Sequence, residues 1–226
     1  MVADQANCLF CNNKSVCFRE LTESELKQVT ENKVEISYKK DETIIKQHSF
    51  ASKIYFIKKG LVKIYLENID RNLIIEIGGE GKMLGLTSLN HAKHYKFSVT
   101  AIEDVVLCEI NMEVINEIMQ TNQFFNSQVI KGLNTTIEKI LNKLYCISHK
   151  NLNGRLAEAL LCFSDDIYKS NKFTLGVSRK DLADITNMAT ENVVRLLKEF
   201  NEKKYIKLSG KNVEILNYST LKQLSR

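Results

Sequence analysis

Apolar and polar residues follow different periods along this chain, and the changes of period mark its parts. From about Val34 to Ile110, short β-rich runs ("TIIKQ", "KIYFIKKG", "LVKIYLEN", "NLIIEIGGEG", "KFSVTAI", "DVVLCEI") are separated by glycine or polar turns. Strands that short, repeated at that spacing, predict an antiparallel sandwich or roll. Gly60, Gly78, Gly79, Gly81 and Gly85 fall where such strands turn, and because the chain has no proline, glycine and asparagine carry the turn chemistry.

The period then changes to three and a half. Ile130, Leu133, Ile137, Ile140, Leu144 and Ile147 are spaced 3, 4, 3, 4 and 3, the a/d pattern of a coiled-coil seam about 25 Å long. An amphipathic helix packed on its own domain is the simpler alternative. The stripe is narrow, however, and Asn134, Glu138, Lys139, Asn142 and Lys143 fill most of the remaining surface, which favours a dimer seam. All six positions are aliphatic, with no buried acid to weaken the pairing, so a dimer is expected to persist without a metal centre.

After the polar stretch "SHKNLNG" and a further helix, "RLAEALLCFSDDIY", a compact helical unit with a hairpin is expected. Ser178 with Asp181 three residues on reads as a capping box that opens a short helix burying Leu182, Ala183 and Ile185. Asn187 stands where a turn between helices needs left-handed backbone. A second helix from about Thr190 buries Val193, Leu196, Leu197 and Phe200, and "YIKL" and "VEIL" flank a tight turn at Ser209 to Asn212. This is the grammar of a winged helix-turn-helix.

In such a unit the outward residues at the start of the second helix meet base edges in the major groove; here they are Thr190, Glu191, Val194 and Arg195. Arginine can grip guanine O6 and N7, glutamate can accept from cytosine N4, and valine can touch a thymine methyl. Lys180, Lys198, Lys203 and Lys211 are candidate phosphate contacts. The net charge of +5 is mild for a nucleic-acid binder, but between Ser178 and Lys211 eight basic residues face five acidic ones, so the basic excess is local to this unit.

At 226 residues, two cores are expected rather than one. Charges interrupt every apolar run before membrane-spanning length, and Met1 to Asn7 lacks the features of a secretory signal. A cytoplasmic protein is expected, where clustered thiols more often bind metal or do redox chemistry than form disulfides. Cys8, Cys11 and Cys17 are separated by two and then five residues in "CLFCNNKSVCF", a stretch too polar and short to build a core around them. Cys108 lies in a strand, where a buried cysteine is unremarkable; Cys146 and Cys162 read as core residues.

A roll, a long helix and a winged helix-turn-helix in that order resemble the CRP/FNR family of bacterial transcription regulators, over nearly the whole chain. "SRKDLADITNMATENVVRLLKEF" is in register with the family's DNA-binding signature, with Glu191 and Arg195 at its base-reading positions and Val194 where glycine or serine is usual. The resemblance implies an α+β fold: a cysteine-rich segment over 1–20, a β-roll sensor of cyclic-nucleotide-binding type over 21–120, a dimerisation helix over 121–148, and a winged helix-turn-helix over 149–226. It implies a homodimer on an inverted repeat of double-stranded DNA, with RNA polymerase as partner and no enzymatic activity.

Cys8, Cys11 and Cys17 reproduce the spacing of the oxygen-sensing FNR branch, and Cys108 falls at its fourth ligand. That likeness implies a four-iron four-sulfur cluster, for which soft thiolates are suitable ligands. Zinc is satisfied equally well by four cysteines. Cyclic AMP is argued against: Leu86 follows Gly85 where the nucleotide-binding branch has glutamate, and Tyr95 and Lys96 stand where its arginine and hydroxyl belong. Two other readings stay open, a same-fold regulator sensing haem (through His91 and His94), nitric oxide or a small molecule, and an iron-sulfur electron carrier. The sequence names neither the target genes nor the sign of regulation.

Overall fold

The computed structural model describes residues 8, 17–89 and 93–226, Cys17 by its backbone alone. The chain divides into two compact units, Met1–Glu67 with Ile77–Glu138, and Asn68–Glu76 with Lys139–Arg226.

In the first unit a 3-10 turn at Cys17–Glu20 precedes helix α1 at Glu23–Glu31. Thr22 and Glu25 cap α1 reciprocally: each side chain takes up the other's backbone N–H, satisfying two donors a helix start leaves orphaned. Among the described residues eight strands follow: β1 (Lys33–Tyr38), β2 (Thr43–Ile45), β3 (Lys53–Lys59), β4 (Val62–Leu66), β5 (Leu73–Gly78), β6 (Met83–Leu84), β7 (Ser98–Ala101) and β8 (Val105–Asn111). They form two four-stranded sheets, ordered β1-β8-β3-β6 and β2-β7-β4-β5. The expected β-roll is present. Ile57, Leu107, Val62 and Val99, all fully buried, supply apolar side chains from both sheets.

The β1-β8-β3-β6 sheet is apolar on its other face too. Directly paired residues of antiparallel strands point to the same side, so the pairs Ile54 with Ile110 and Phe56 with Cys108 lie on one face, opposite that of Ile57 and Leu107. This explains why "KIYFIKK" reads as a nearly continuous apolar run rather than an alternating one. Phe18, from the turn before α1, covers this outer face, its ring centroid 6.0 Å from that of Phe56 and stacked on that of Phe125 at 6.2 Å.

Gly60 turns β3 into β4 with φ +92°, and a Cβ there would sit 2.7 Å from the Asp104 carbonyl oxygen. Gly60→Ala therefore meets both an unfavourable left-handed backbone and a backbone clash. It is expected to destabilise the unit by about 2 kcal/mol or more, read as a drop in melting temperature with the native spectrum retained at low temperature.

Helix α2 (Met112–Thr121) leads to α3, Gln123–His149, 27 residues in one uninterrupted helix and about 40 Å long at 1.5 Å per residue. The second unit contains α4 (Leu152–Cys162), extended by a π turn at Phe163–Ile167, then β9 (Lys172–Thr174), α5 (Arg179–Thr186), α6 (Thr190–Glu202), β10 (Ile206–Ser209), β11 (Asn212–Ile215) and α7 (Tyr218–Leu224). β9, β10 and β11 form a small antiparallel sheet. Its core takes Leu156, Leu160, Leu182, Val193, Leu196, Leu197 and Phe200. Cys146 is buried as expected, whereas Cys162 is exposed: the buried side of α4 is filled by Leu156, Ala157, Leu160 and Leu161, and Cys162 points away from it.

Candidate DNA interface and thiol site

Helices α5 and α6 form the expected helix-turn-helix. Ser178 and Asp181 make the capping box at the start of α5, with the Asp181 N–H donating to Ser178 Oγ at 3.0 Å and the Ser178 N–H to Asp181 Oδ2 at 2.9 Å. Asn187 ends the helix in the left-handed region, φ 49° and ψ 51°, a conformation that asparagine tolerates better than most residues. The amphipathic split of α6 is sharp: Val193, Leu196, Leu197 and Phe200 are buried, whereas Glu191, Val194, Arg195 and Lys198 are exposed and Thr190 is half-buried. Four expected base readers thus share one end of α6, with Lys180 exposed on α5.

Arg195 lies 3.7 Å from Glu199. An exposed pair of this kind is worth only a few tenths of a kcal/mol, so the guanidinium is free to exchange its partner for a base edge. Glu199 also holds Lys203 at 2.7 Å, which keeps its carboxyl below the usual carboxylate range.

Two residues that the sequence reading missed fix the wing. Arg179 Nη2 donates to the Gly210 carbonyl oxygen at 2.7 Å, and Asn201 Oδ1 accepts from the Leu208 N–H at 2.8 Å. Gly210 turns the hairpin at φ +60°. Arg179, Asn201 and Leu208, with Val194, Leu197 and Lys198, line a depression between α6 and β10. Nothing in their local sequence marks Arg179 and Asn201 for this task, since each bonds to backbone seven or more residues away.

Along α3, Ile130, Ile137, Ile140 and Leu144 are 42 to 57% exposed, a large apolar surface for one helix. Leu133 is half-buried against the core of its own unit and Ile147 is half-buried. Leu141 and Tyr145, absent from the sequence reading, are 58% and 54% exposed and widen the stripe.

Of the four cysteines expected to act together, Cys11 and the side chain of Cys17 lie outside the described residues. Cys8 and Cys108 are both described, and both are buried in the core of the first unit. The Cys8 N–H donates to Thr30 Oγ1 of α1 at 3.2 Å, while Cys108 pairs with Glu35 on one side and Phe56 on the other. Burial pushes the Cys108 thiol above its ordinary range; Glu35 and the thiol of Cys8 act in the same direction, against Lys33 and Lys58. Cys8 thus bears on the charge of a residue a hundred positions on, and both lie in one core. Two soft sulfur donors buried in one core suit a thiolate-bound metal or cluster. Among the described residues, no group of three or more metal-ligating side chains is assembled.

The residues tied to other ligands are differently placed. Tyr95 is buried, and its hydroxyl donates to the Lys53 carbonyl oxygen at 2.6 Å, so at the arginine position of the cyclic-nucleotide pattern the side chain is engaged within the core. Lys96 is exposed. His94 is exposed, edge-on to Phe50 at 6.5 Å, and His91 lies outside the described residues.

Residues 35–122 match a cyclic nucleotide-binding domain, and residues 154–224 a Crp-like helix-turn-helix domain. The fumarate and nitrate reduction regulatory protein of Vibrio cholerae is 26% identical over 97% of this chain and 90% of its own length; that of Escherichia coli is 25% identical with the same coverage. Among solved structures, FixK2 from Bradyrhizobium japonicum shares the fold with a TM-score of 0.79 and 20% identity, covering 86% of this chain and 98% of that one.

Proposed function

The chain belongs to the CRP/FNR family of DNA-binding transcription regulators, and we propose that it is a homodimer reporting oxygen or redox state through a thiolate-held iron-sulfur centre. The observation that supports this reading is the burial of Cys8 and Cys108 in the same core, with Cys8 bearing on the charge of Cys108. Cys8, Cys11, Cys17 and Cys108 would hold a four-iron four-sulfur cluster, which supplies reactivity toward oxygen when bound. Zinc at the same thiols is the second reading, supported by the same donor set.

The chain's own residues supply the transmission. The Asn122 side chain donates to the Glu20 carbonyl oxygen and to Glu25 Oε2, both at 3.0 Å, and accepts from the Phe125 N–H at 2.9 Å. It thereby ties the turn after Cys17 and the start of α1 to the first turn of α3. Phe18 stacks on Phe125 beside it. While Cys8 and Cys108 are held together, Phe18 and Glu20 stay against the start of α3. Once that tether is lost, α3 loses the support at its first turn, and the seam that spaces two recognition helices is altered. Half-site spacing is fixed by the DNA repeat, so small changes at the seam have large effects on affinity.

Sequence-specific binding should follow the α6 residues. Arg195→Ala is expected to weaken binding to a guanine-containing operator by about 1–3 kcal/mol and relax selectivity at that base. Lys198→Ala should weaken binding to all sequences alike and flatten the salt dependence by about one unit of slope. Fluorescence anisotropy on operator and scrambled duplexes separates the two. Run with and without air on wild-type protein, the same assay tests the sensing: affinity should fall on exposure to air, and an unchanged affinity would remove oxygen as the signal.

A further inference from the structure

A helix leaves its last carbonyl oxygens without partners, and in the second unit two such ends are closed by cations from other helices. At the end of α3 the Cys146 carbonyl oxygen accepts from the Lys150 N–H at 3.2 Å, and the Ile147 carbonyl oxygen accepts from Arg155 Nη2 at 2.6 Å. Arg155, on α4, also donates through Nε to the Lys150 carbonyl oxygen at 2.9 Å and through Nη1 to the Asn187 carbonyl oxygen at 3.2 Å. Asn187 is the left-handed residue that closes α5 before α6 begins. One guanidinium therefore spans the end of α3 and the turn of the helix-turn-helix.

α5 is tied to α3 a second time. In its last turn the Ala183 carbonyl oxygen is taken by the N–H groups of Asn187 and Met188, while that of Ile185 accepts from Lys143 Nζ. Lys143 and Ile147 are four residues apart on α3, about one turn, so both ties grip one short stretch of that helix. The same stretch carries Ile140, Leu144 and Ile147 of the apolar stripe. Charged donors at helix C-termini meet the partial negative charge gathered there, and each satisfies an acceptor otherwise orphaned.

We propose that Arg155, with Lys143, fixes the orientation of the helix-turn-helix relative to α3 and so selects the half-site spacing that the protein accepts. Both are positioning residues, acting through the turn between α5 and α6. The proposal rests on the homodimer reading above, because a spacing is read only where two recognition helices bind together.

The test uses full-length protein prepared without air and an operator selected by the wild type from a randomised duplex library. Anisotropy is measured on that operator, on versions with one base pair inserted or removed between the half-sites, and on a single half-site. Wild type is expected to lose about 10-fold or more when the spacing is changed. Arg155→Met, checked for wild-type circular dichroism, is expected to bind the original operator about 10-fold more weakly, to bind the three spacings within about 3-fold of one another, and to keep its affinity for the half-site. Lys143→Met should move in the same direction by about 3-fold. If Arg155→Met fails to fold, Arg155→Lys takes its place, keeping the charge while losing the planar fork that bridges several carbonyls. Wild-type discrimination among the spacings in the folded Arg155 variant overturns the proposal. An equal loss on operator and half-site overturns it too, as that is what a merely structural role would give. Wild-type protein that sediments as a monomer overturns instead the homodimer reading.

Discussion

Glutamate at both Ile137 and Ile140 is expected to turn the protein into a monomer and cut its affinity for a two-half-site operator by about 100-fold or more. In a single chain these side chains are 53% and 42% exposed, flanked by Leu141 at 58% and Leu144 at 57%. An apolar stripe of that extent on one helix is stable in water only when another surface covers it. The seven-residue step from Ile130 to Ile137 and from Ile137 to Leu144 suits a second copy of the same helix. Charges placed in the middle of that seam would be desolvated without partners on pairing, which costs far more than the lost apolar contact. Each protomer would then reach the operator with one recognition helix, losing the multiplied affinity of two linked contacts. Sedimentation equilibrium gives the mass and anisotropy the affinity. A double variant that remains a dimer would mean that the exposed stripe serves another purpose.

Cys108→Ala is expected to abolish iron retention and, with it, any difference in DNA binding between air and its absence. The effect is nearly all-or-none because Cys108 is the single ligand expected from the sheet, the other three coming from the amino-terminal segment. Fold stability should hardly change, as alanine replaces a small buried side chain in a strand already packed by Phe56 and Ile110. Cys146→Ala is the matched control. Cys146 is also buried, but it lies in the second unit, where burial and Glu158 push its thiol up to about 11. That variant should retain iron as wild type does. Equal loss from both would point to general destabilisation rather than ligation.

The parts of this molecule that were legible in the sequence are those whose physics is local. The capping box at Ser178 and Asp181, the left-handed Asn187 and the buried face of α6 each depend on residues within a few positions of one another, and all three stand as expected. The β-roll was legible as a class from its short strands and glycine turns. Its second apolar face was not, because the covering residues, Phe18 and Phe125, come from opposite ends of the unit and meet only in the fold. The bracing of the wing by Arg179 and Asn201 was hidden for the same reason. Leu141 and Tyr145 were missed because a strict a/d reading is narrower than the apolar stripe that α3 presents.

At the thiol site, the spacing of Cys8, Cys11 and Cys17 named the candidates, but no local pattern linked them to a strand far along the chain. Only the fold buries Cys8 and Cys108 in the same core. Asn122 is comparable: an ordinary polar residue in sequence, it joins the amino-terminal turn, α1 and α3 through three hydrogen bonds.

Iron and acid-labile sulfide, assayed on full-length protein prepared without air, decide whether thiols of the amino-terminal segment and of β8 share one iron-sulfur centre. The account predicts about four of each per chain, with a brown chromophore that bleaches when air is admitted. Colourless protein free of iron, or protein carrying stoichiometric zinc in its place, would contradict it.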